Sequence, residues 1–381
     1  MRHLVLRTGL DSVIAHALQE RHIVGAVVLV AHHGELVYSH SAGLADRETR
    51  APMQEDSIFL LASVTKPIVT AAAMSLIEDG ALGLEDPVTR WLPDFKPRLP
   101  NGDVPPITVR QLLTHTAGLS YRGFEPPESV YHTLNISDGL DQPGLGLAEN
   151  LRRVAAAPLV YEPGSSWRYS LALDVLGAVV AEVGRKPLGD VVRHAITGPL
   201  GMRDTDFTVV DRSRFVTPYA DGGGEPRRIT DGMSVPLFGA PVTFAPSRIF
   251  NSSSYQSGGA GMAGTARDVM RLFETFRAGR DSILRASTIA TMLTSHVDST
   301  AQTWGPGWGF GIGGAILDDP AAAGTPQAKG TFQWGGVYGH TWFVDRANSL
   351  SVVALTNTAF EGMVGAFASD IRDSIYAALR G

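Results

Sequence analysis

The sequence predicts an α+β fold, in which an antiparallel sheet is flanked by helices and a mainly helical domain is inserted between the strands. Strand patterns occur near both ends of the chain, and helical periodicities dominate its middle. Strands from both ends can therefore join into one sheet, with the first and last helices packed on it. We predict a discontinuous α/β domain of residues 1–83 and 240–381, an inserted domain of residues 84–239, and a cleft between them.

The first third of the chain predicts a helix, a hairpin and a second helix. Amphipathic spacing indicates a helix over residues 10–20. Two runs rich in β-branched residues, 25–31 and 35–43, are separated by a His-Gly pair and predict an antiparallel hairpin. A further helix is expected over residues 63–78, because an Asp-Gly stop signal follows its last apolar position.

The rest of the chain changes from helices to strands. Helices are predicted in the middle, at residues 109–114, 147–155, 170–183 and 188–195. Irregular segments are expected at residues 221–224, 239–257 and 318–330. Strands return before a final helix, with strands at 307–316, 330–334, 340–345 and 350–356 and the helix at 363–379.

Composition excludes several classes of protein. The chain has 381 residues, 44% of them hydrophobic, and a net charge of −6, so a large core is expected and a nucleic-acid or anionic-membrane partner is not. It has no cysteine, which rules out disulfides and thiol nucleophiles. No apolar run is long enough to span a bilayer and no secretory signal is visible, so a cytoplasmic location is expected. The sequence does not indicate an oligomeric state.

Two patterns that suggest a cofactor or a metal fail on their context. Residues 309–314 match G-x-G-x-x-G, but they lie in a strand pattern and no helix follows, so dinucleotide binding is not expected. His32-His33 lies at a predicted hairpin tip without a third ligand nearby, which favours an exposed turn. We therefore predict neither a cofactor nor a metal.

The clearest catalytic pattern is Ser63-Val64-Thr65-Lys66 at a predicted helix start. Residues three apart on a helix share a face, so the lysine amine can reach the serine hydroxyl and serve as the base that a serine nucleophile needs. The chain contains 28 arginines but four lysines, and Lys66 is the one with a serine three residues before it. The alternative is a capping serine followed by a surface lysine.

Two further segments complete a candidate site. Tyr169 lies in a loop that leads into a helix, where its phenol can face a cleft and relay a proton, although a lone tyrosine is more often packed in a core. The run Trp334-Gly335-Gly336-Val337 lies in a strand pattern, and consecutive glycines there indicate close backbone approach. An edge strand at this place can supply an N–H group to an oxyanion, together with the Ser63 N–H.

These segments, with residues 112–119 (LLTHTAGL) and 199–202 (PLGM), resemble in order the serine β-lactamase-like superfamily. That superfamily includes class C β-lactamases, DD-peptidases and family VIII carboxylesterases. Residues 61–67 and 334–340 are most similar to the family VIII carboxylesterases. The resemblance implies a β-lactamase-like α+β fold and a serine hydrolase without a cofactor.

The resemblance also implies a role for each matched residue. Ser63 would be acylated, and Lys66 and Tyr169 would share the acid–base work. The N–H groups of Ser63 and Val337 would form the oxyanion hole, and Trp334 would line the acyl pocket. The remaining candidates for substrate binding are Gly335, Gly336, Tyr121 and Asp174. His115, within the first matched run, is interpreted as structural.

Departures from the β-lactamase pattern define the predicted substrate. Trp334 occupies the place of a lysine that would bind the carboxylate of a β-lactam, and Leu171 replaces an asparagine. We therefore predict a carboxylesterase acting on short-chain acyl esters, able to deacetylate cephalosporins with the lactam intact and to transfer acyl groups to alcohols. The alternatives are a class C-like β-lactamase or DD-peptidase, and a non-catalytic scaffold of the same fold. The predicted partner is a small-molecule ester.

Overall fold

The computed structural model describes residues 3–220, 224–280 and 282–380, so most of the loop predicted at 221–224 lies outside the described residues. The described helices are α1 (His3–Gln19), α2 (Thr65–Glu78), α3 (Val109–Leu113), α4 (Val130–Thr133), α5 (Leu147–Ala156), α6 (Ala172–Gly184), α7 (Leu188–Val192), α8 (Ala266–Ala278), α9 (Ala286–Met292), α10 (Pro320–Ala323), α11 (Glu361–Val364) and α12 (Ala366–Arg380). Two short 3₁₀ turns border the candidate site, Ala62–Val64 and Arg122–Phe124.

Strands occur near both ends of the chain, with a set of short strands between them. They are β1 (Gly25–His32), β2 (Glu35–Asp46), β3 (Ala51–Pro52), β4 (Phe59–Leu60), β5 (Tyr219–Ala220), β6 (Arg227–Arg228), β7 (Met233–Leu237), β8 (Ala240–Phe244), β9 (Ala263–Gly264), β10 (Trp308–Phe310), β11 (Ala315–Leu317), β12 (Phe332–Gly336), β13 (His340–Asp345), β14 (Leu350–Thr356) and β15 (Thr358–Ala359).

The large sheet joins the two ends of the chain, as predicted. Its described strands follow the order β10-β11-β12-β13-β14-β1-β2-β3 and pair antiparallel. The junction is between β1 and β14, where Ala26 pairs with Thr356 and His32 pairs with Leu350. The predicted α+β fold is therefore confirmed. The division into two domains stays a prediction.

Helices cover both faces of this sheet. Side chains alternate between the faces of a strand, and β14 shows the consequence. Val352 and Ala354 pack in one cluster with α1 and α12, whereas Val353 and Leu355 pack in another with α2 and α8. Because both faces are buried, residues 26–31 of β1 and 352–355 of β14 are continuous apolar runs instead of alternating patterns. Among the described residues, no helix is both long and apolar enough to cross a membrane.

Several predicted boundaries are wrong for local reasons. The helix predicted over 10–20 begins at His3, because Leu6 extends its buried face. The strand predicted over 307–316 is the hairpin β10–β11, since the glycine-rich segment between the strands turns the chain. The final helix is divided into α11 and α12 at Gly365, whose backbone is extended. The irregular segment 239–257 contains β8, which pairs with β7.

Helices α8 and α9 are absent from the prediction. For α8 the sequence carries ordinary signals: the Thr265 side chain accepts from the N–H of Asp268 at the start, and Gly279 has a left-handed backbone at the end. Its buried residues Val269, Leu272, Phe273 and Phe276 follow helical spacing. This helix covers the face of the sheet opposite α1 and α12.

Candidate active site

Ser63 lies in the turn that leads from β4 into α2. The residue before it, Ala62, has φ of 44°, a left-handed conformation that is unusual for alanine and redirects the chain at this point. Ser63 itself is 8% exposed. Its N–H group belongs to the first turn of the helical segment, where N–H groups lack intrahelical acceptors. The local backbone therefore presents both the hydroxyl and the amide to the same space.

Lys66 is one turn further along and is completely buried. Its Nζ atom donates to Ser63 Oγ at 3.0 Å and to the carbonyl oxygen of Gly259 at 2.8 Å. The predicted contact between the two members of the S-x-x-K pattern is present in the structure. The Gly259 carbonyl gives the amine a second acceptor, from the backbone.

Tyr169 completes the contacts of the serine. Its hydroxyl donates to Ser63 Oγ at 2.7 Å and accepts from Trp334 Nε1 at 3.2 Å. Lys66 Nζ lies 4.7 Å from the centre of the Tyr169 ring, within cation–π range. Lys66 and Tyr169 thus both contact the hydroxyl oxygen of Ser63, and Trp334 contacts the hydroxyl of Tyr169.

Asp174 does not contact the cavity, contrary to the prediction that it binds substrate. It is buried on α6, and its carboxylate accepts from the hydroxyls of Ser257 at 2.6 Å and Tyr255 at 3.0 Å and from the N–H of Gly259 at 2.9 Å. The same Gly259 binds Lys66 through its carbonyl. Asp174 therefore holds the loop that positions the lysine.

Tyr121 lines the cavity, and its role in substrate binding stays a prediction. Its ring centre is 5.2 Å from that of Tyr169 and 5.7 Å from Lys66 Nζ. Burial and the nearby Tyr169 raise the pKa of the Tyr121 phenol well above its usual value, so the hydroxyl stays protonated. It is a hydrogen-bond donor next to the serine and not an anion.

Strand β12 and the turn after it lie against the segment before Ser63. Trp334, Gly335 and Val337 line the cavity, and the N–H of Val337 has no acceptor among the described residues. Gly336 does not line it, which corrects the prediction that it binds substrate: a Cβ there would lie 2.7 Å from the carbonyl oxygen of Leu61. The missing side chain lets the strand approach the serine segment closely.

Two buried histidines support these segments. His340 Nε2 donates to the carbonyl of Leu60 at 2.7 Å, and burial lowers the pKa of His340 to about 4. His115 Nδ1 accepts from the N–H of Ser170 at 3.3 Å, and its ring is 4.9 Å from that of Tyr169. Burial, with Lys66 nearby, holds the pKa of His115 well below its usual value. Both rings are therefore neutral at pH 7.

The serine opens onto a cavity of about 630 Å³. Its lining is mostly apolar and includes aromatic side chains that the sequence did not single out, namely Phe124, Trp167 and Trp304. The hairpin β7–β8 forms a further wall. Leu171 is buried in the core and does not line the cavity. Among the described residues, no group of three His, Cys, Asp or Glu side chains is arranged to bind a metal ion.

Comparison with known proteins shows what this chain resembles. A family model described as Beta-lactamase matches residues 10–376. Esterase EstB from Burkholderia gladioli is 54% identical over 375 residues, which cover 98% of this chain and 95% of that protein. The solved structure of EstCE1, described as a hydrolase with promiscuous acyltransferase activity, has 51% identity and a TM-score of 0.96, and the match covers 98% of this chain and 99% of that one. Simvastatin synthase (LovD) from Aspergillus terreus, at 23% identity and a TM-score of 0.78 with 98% of both chains covered, shows likeness of fold alone.

Proposed function

Because this chain belongs to the beta-lactamase family, we propose that it is a carboxylic ester hydrolase that forms an acyl-enzyme on Ser63. The observation that carries the proposal is the pair of hydrogen bonds from Lys66 and Tyr169 to Ser63 Oγ at the cavity wall. The similarity to esterase EstB and to the hydrolase EstCE1 supports ester cleavage as the reaction.

The geometry supports a two-step mechanism. The Ser63 hydroxyl gives its proton to the Tyr169–Lys66 pair as Oγ attacks the ester carbonyl. The N–H groups of Ser63 and Val337 bind the oxyanion that forms. The bond between the tetrahedral intermediate and its alkoxide group then breaks. The alkoxide takes the proton back from the Tyr169–Lys66 pair and leaves as the alcohol. A water molecule then attacks the acyl-enzyme in the same way. This second step releases the carboxylic acid and restores the Ser63 hydroxyl.

The lining of the cavity supports an ester substrate over a β-lactam. The side chain at the third matched motif is Trp334, which has no positive charge for the carboxylate of a β-lactam, and Leu171 is turned into the core. The substrate we propose is a small-molecule ester with a short acyl chain. The mostly apolar cavity also admits an alcohol beside the acyl-enzyme, so acyl transfer is proposed as a side reaction.

A cephalosporin with an acetoxy group separates the esterase from the β-lactamase alternative. We would incubate the protein with cephalothin and follow it by proton NMR, with Ser63→Ala as the control variant. The expected result is release of acetate while the two β-lactam ring protons persist, and no release by Ser63→Ala.

Two other results would replace the proposal. Loss of the ring protons together with release of acetate would identify a β-lactamase, because ring opening itself expels acetate. Absence of any Ser63-dependent turnover, with no mass increase after treatment with a fluorophosphonate, would favour the non-catalytic scaffold.

A further inference from the structure

One acidic side chain faces the mostly apolar cavity. Among the described residues that line it, Asp138 is the one acid, and it lies in the loop between α4 and α5. Its two carboxylate oxygens accept from the backbone N–H groups of Arg122 at 2.8 Å and Gly123 at 3.3 Å. These bonds hold the carboxylate against the segment that carries Tyr121 and Phe124, whose rings are in edge contact at 5.9 Å.

The positive charges nearby are bound to other partners. The guanidinium of Arg122 contacts Asp141 at 2.6 Å instead of Asp138. Arg168 also lines the cavity, but it forms an ion pair with Glu125 at 3.0 Å. No described residue forms an ion pair with Asp138. A carboxylate that faces a cavity without a cationic partner leaves its charge available to a ligand.

We propose that Asp138, Tyr121 and Phe124 form a subsite for an ammonium group, so that the enzyme prefers esters that carry one. A carboxylate supplies the opposite charge, and the faces of aromatic rings attract ammonium ions, quaternary ones included. This inference rests on the proposed ester hydrolysis and adds to it the class of the substrate. Lys66 Nζ lies 5.7 Å from the centre of the Tyr121 ring, but it donates to Ser63 and Gly259 and forms no ion pair with Asp138.

The carboxyl group titrates in the range where the enzyme can be assayed. Burial, with Asp141 nearby, raises the pKa of Asp138 to about 7, against the opposing effect of Arg122 and its N–H group. Tyr121 and Tyr131 also lie near this carboxyl group, and burial raises the pKa of both phenols, so they stay neutral. The preference for an ammonium ester should therefore increase from pH 6 to pH 8, as Asp138 loses its proton.

Two esters of the same shape test the subsite. Acetylcholine and 3,3-dimethylbutyl acetate differ in having a charged nitrogen or a neutral carbon at one position. For each ester, kcat/KM is divided by the rate constant of its hydrolysis by hydroxide, which removes the difference in intrinsic reactivity. The quantity to compare is the ratio of these two normalised values. Asp138→Asn removes the charge but keeps a carbonyl acceptor for the loop. Asp103→Asn, at an exposed position outside the cavity, makes the same change in net charge.

The expected ratio at pH 8 is about tenfold in favour of acetylcholine in the wild type and in Asp103→Asn, and about two- to threefold in Asp138→Asn, where the aromatic rings remain. Because both esters are measured with the same preparation of each protein, partial loss of folded protein does not change the ratio. A wild-type ratio near one, or an unchanged ratio in Asp138→Asn, would overturn the subsite. If p-nitrophenyl butyrate is cleaved but acetylcholine and 3,3-dimethylbutyl acetate are not, the proposed subsite is wrong and the proposed esterase activity is retained. If no ester is cleaved in a Ser63-dependent way, both are wrong.

Discussion

The amine of Lys66 is held between the serine it serves and a backbone carbonyl. Gly259 provides that carbonyl, and its own N–H is bound by the carboxylate of Asp174. A buried carboxylate with three hydrogen-bond donors is a rigid support, because each charge-assisted bond contributes about 1.5–3 kcal/mol. The position of the base therefore depends on a residue that does not touch the cavity.

Asp174→Asn should lower kcat and leave KM nearly unchanged. The asparagine keeps one carbonyl oxygen but loses the charge that fixes the Gly259 loop, so Lys66 is less well placed. We expect a decrease in kcat of about 10–100-fold, equivalent to the loss of one charge-assisted bond. Steady-state kinetics with p-nitrophenyl butyrate measures both constants, and the pH profile of kcat should shift. An increase in KM at constant kcat would instead indicate substrate contact.

Phe238 should be replaceable by asparagine with a gain in stability. It occupies the tight turn Phe238-Gly239 between β7 and β8 with φ of 50°, and it is 84% exposed. A left-handed backbone is unfavourable for a bulky residue, whereas Asn-Gly suits a two-residue hairpin turn. Phe238→Asn is expected to raise the free energy of unfolding by about 0.5–1 kcal/mol.

Urea unfolding would measure this change, with Phe238→Ala as the matched variant. Alanine removes the exposed ring without the conformational advantage of asparagine, so its free energy of unfolding should be below that of Phe238→Asn. Equal values for the two variants would contradict the explanation from the backbone.

The sequence predicted the contacts of the serine better than it predicted its surroundings. Ser63 and Lys66 are connected by helical spacing, so their contact follows from local geometry. For Asp174, the sequence does not tell whether the carboxylate faces the cavity or the loop behind it, because that depends on packing with residues more than 80 positions away. Asp138 was missed for a similar reason, since its loop shows no motif.

Strand β12 is the element on which the candidate oxyanion hole depends. It packs against the segment before Ser63, with Gly336 next to the carbonyl of Leu61. The sequence predicted close approach from the paired glycines, but not that one glycine contacts the backbone while the other lines the cavity. The alternation of side chains along the strand produces this difference.

Gly336→Ala should lower kcat much more than it weakens substrate binding, as measured by KM. The added Cβ would lie 2.7 Å from the Leu61 carbonyl, a distance that backbone atoms cannot accommodate without moving the strand. Displacement of β12 moves the Val337 N–H away from the developing oxyanion, and loss of one such donor costs about 10²–10³ in kcat. Gly146→Ala, where a Cβ meets nothing within 4 Å, is the control. Similar kcat values for the two variants would contradict this role of β12.

The whole molecule is held together by contacts between distant parts of the chain. The β1–β14 pairing joins the two ends, which the sequence indicated through strand patterns near both ends of the chain. His340 makes a comparable connection, because it lies at the start of β13 and binds the carbonyl of Leu60 before the nucleophile. Its ring is completely buried and neutral, which ties the stability of the fold to pH.

The fold should therefore become less stable in mild acid. The pKa of His340 is about 4 in the fold and near 6.5 in an unfolded chain, so between these values unfolding takes up a proton. The contribution is fully present above about pH 6.5 and is lost as the pH falls towards 4, by about 3 kcal/mol in total. His115 acts in the same direction.

Urea unfolding at pH 7.5 and 4.5 measures how much free energy of unfolding is lost in acid. This loss should be about 2–3 kcal/mol smaller in His340→Gln, whose amide can still donate to Leu60. The exposed His22→Gln should behave as the wild type, and equal losses in all three proteins would show that acid acts elsewhere.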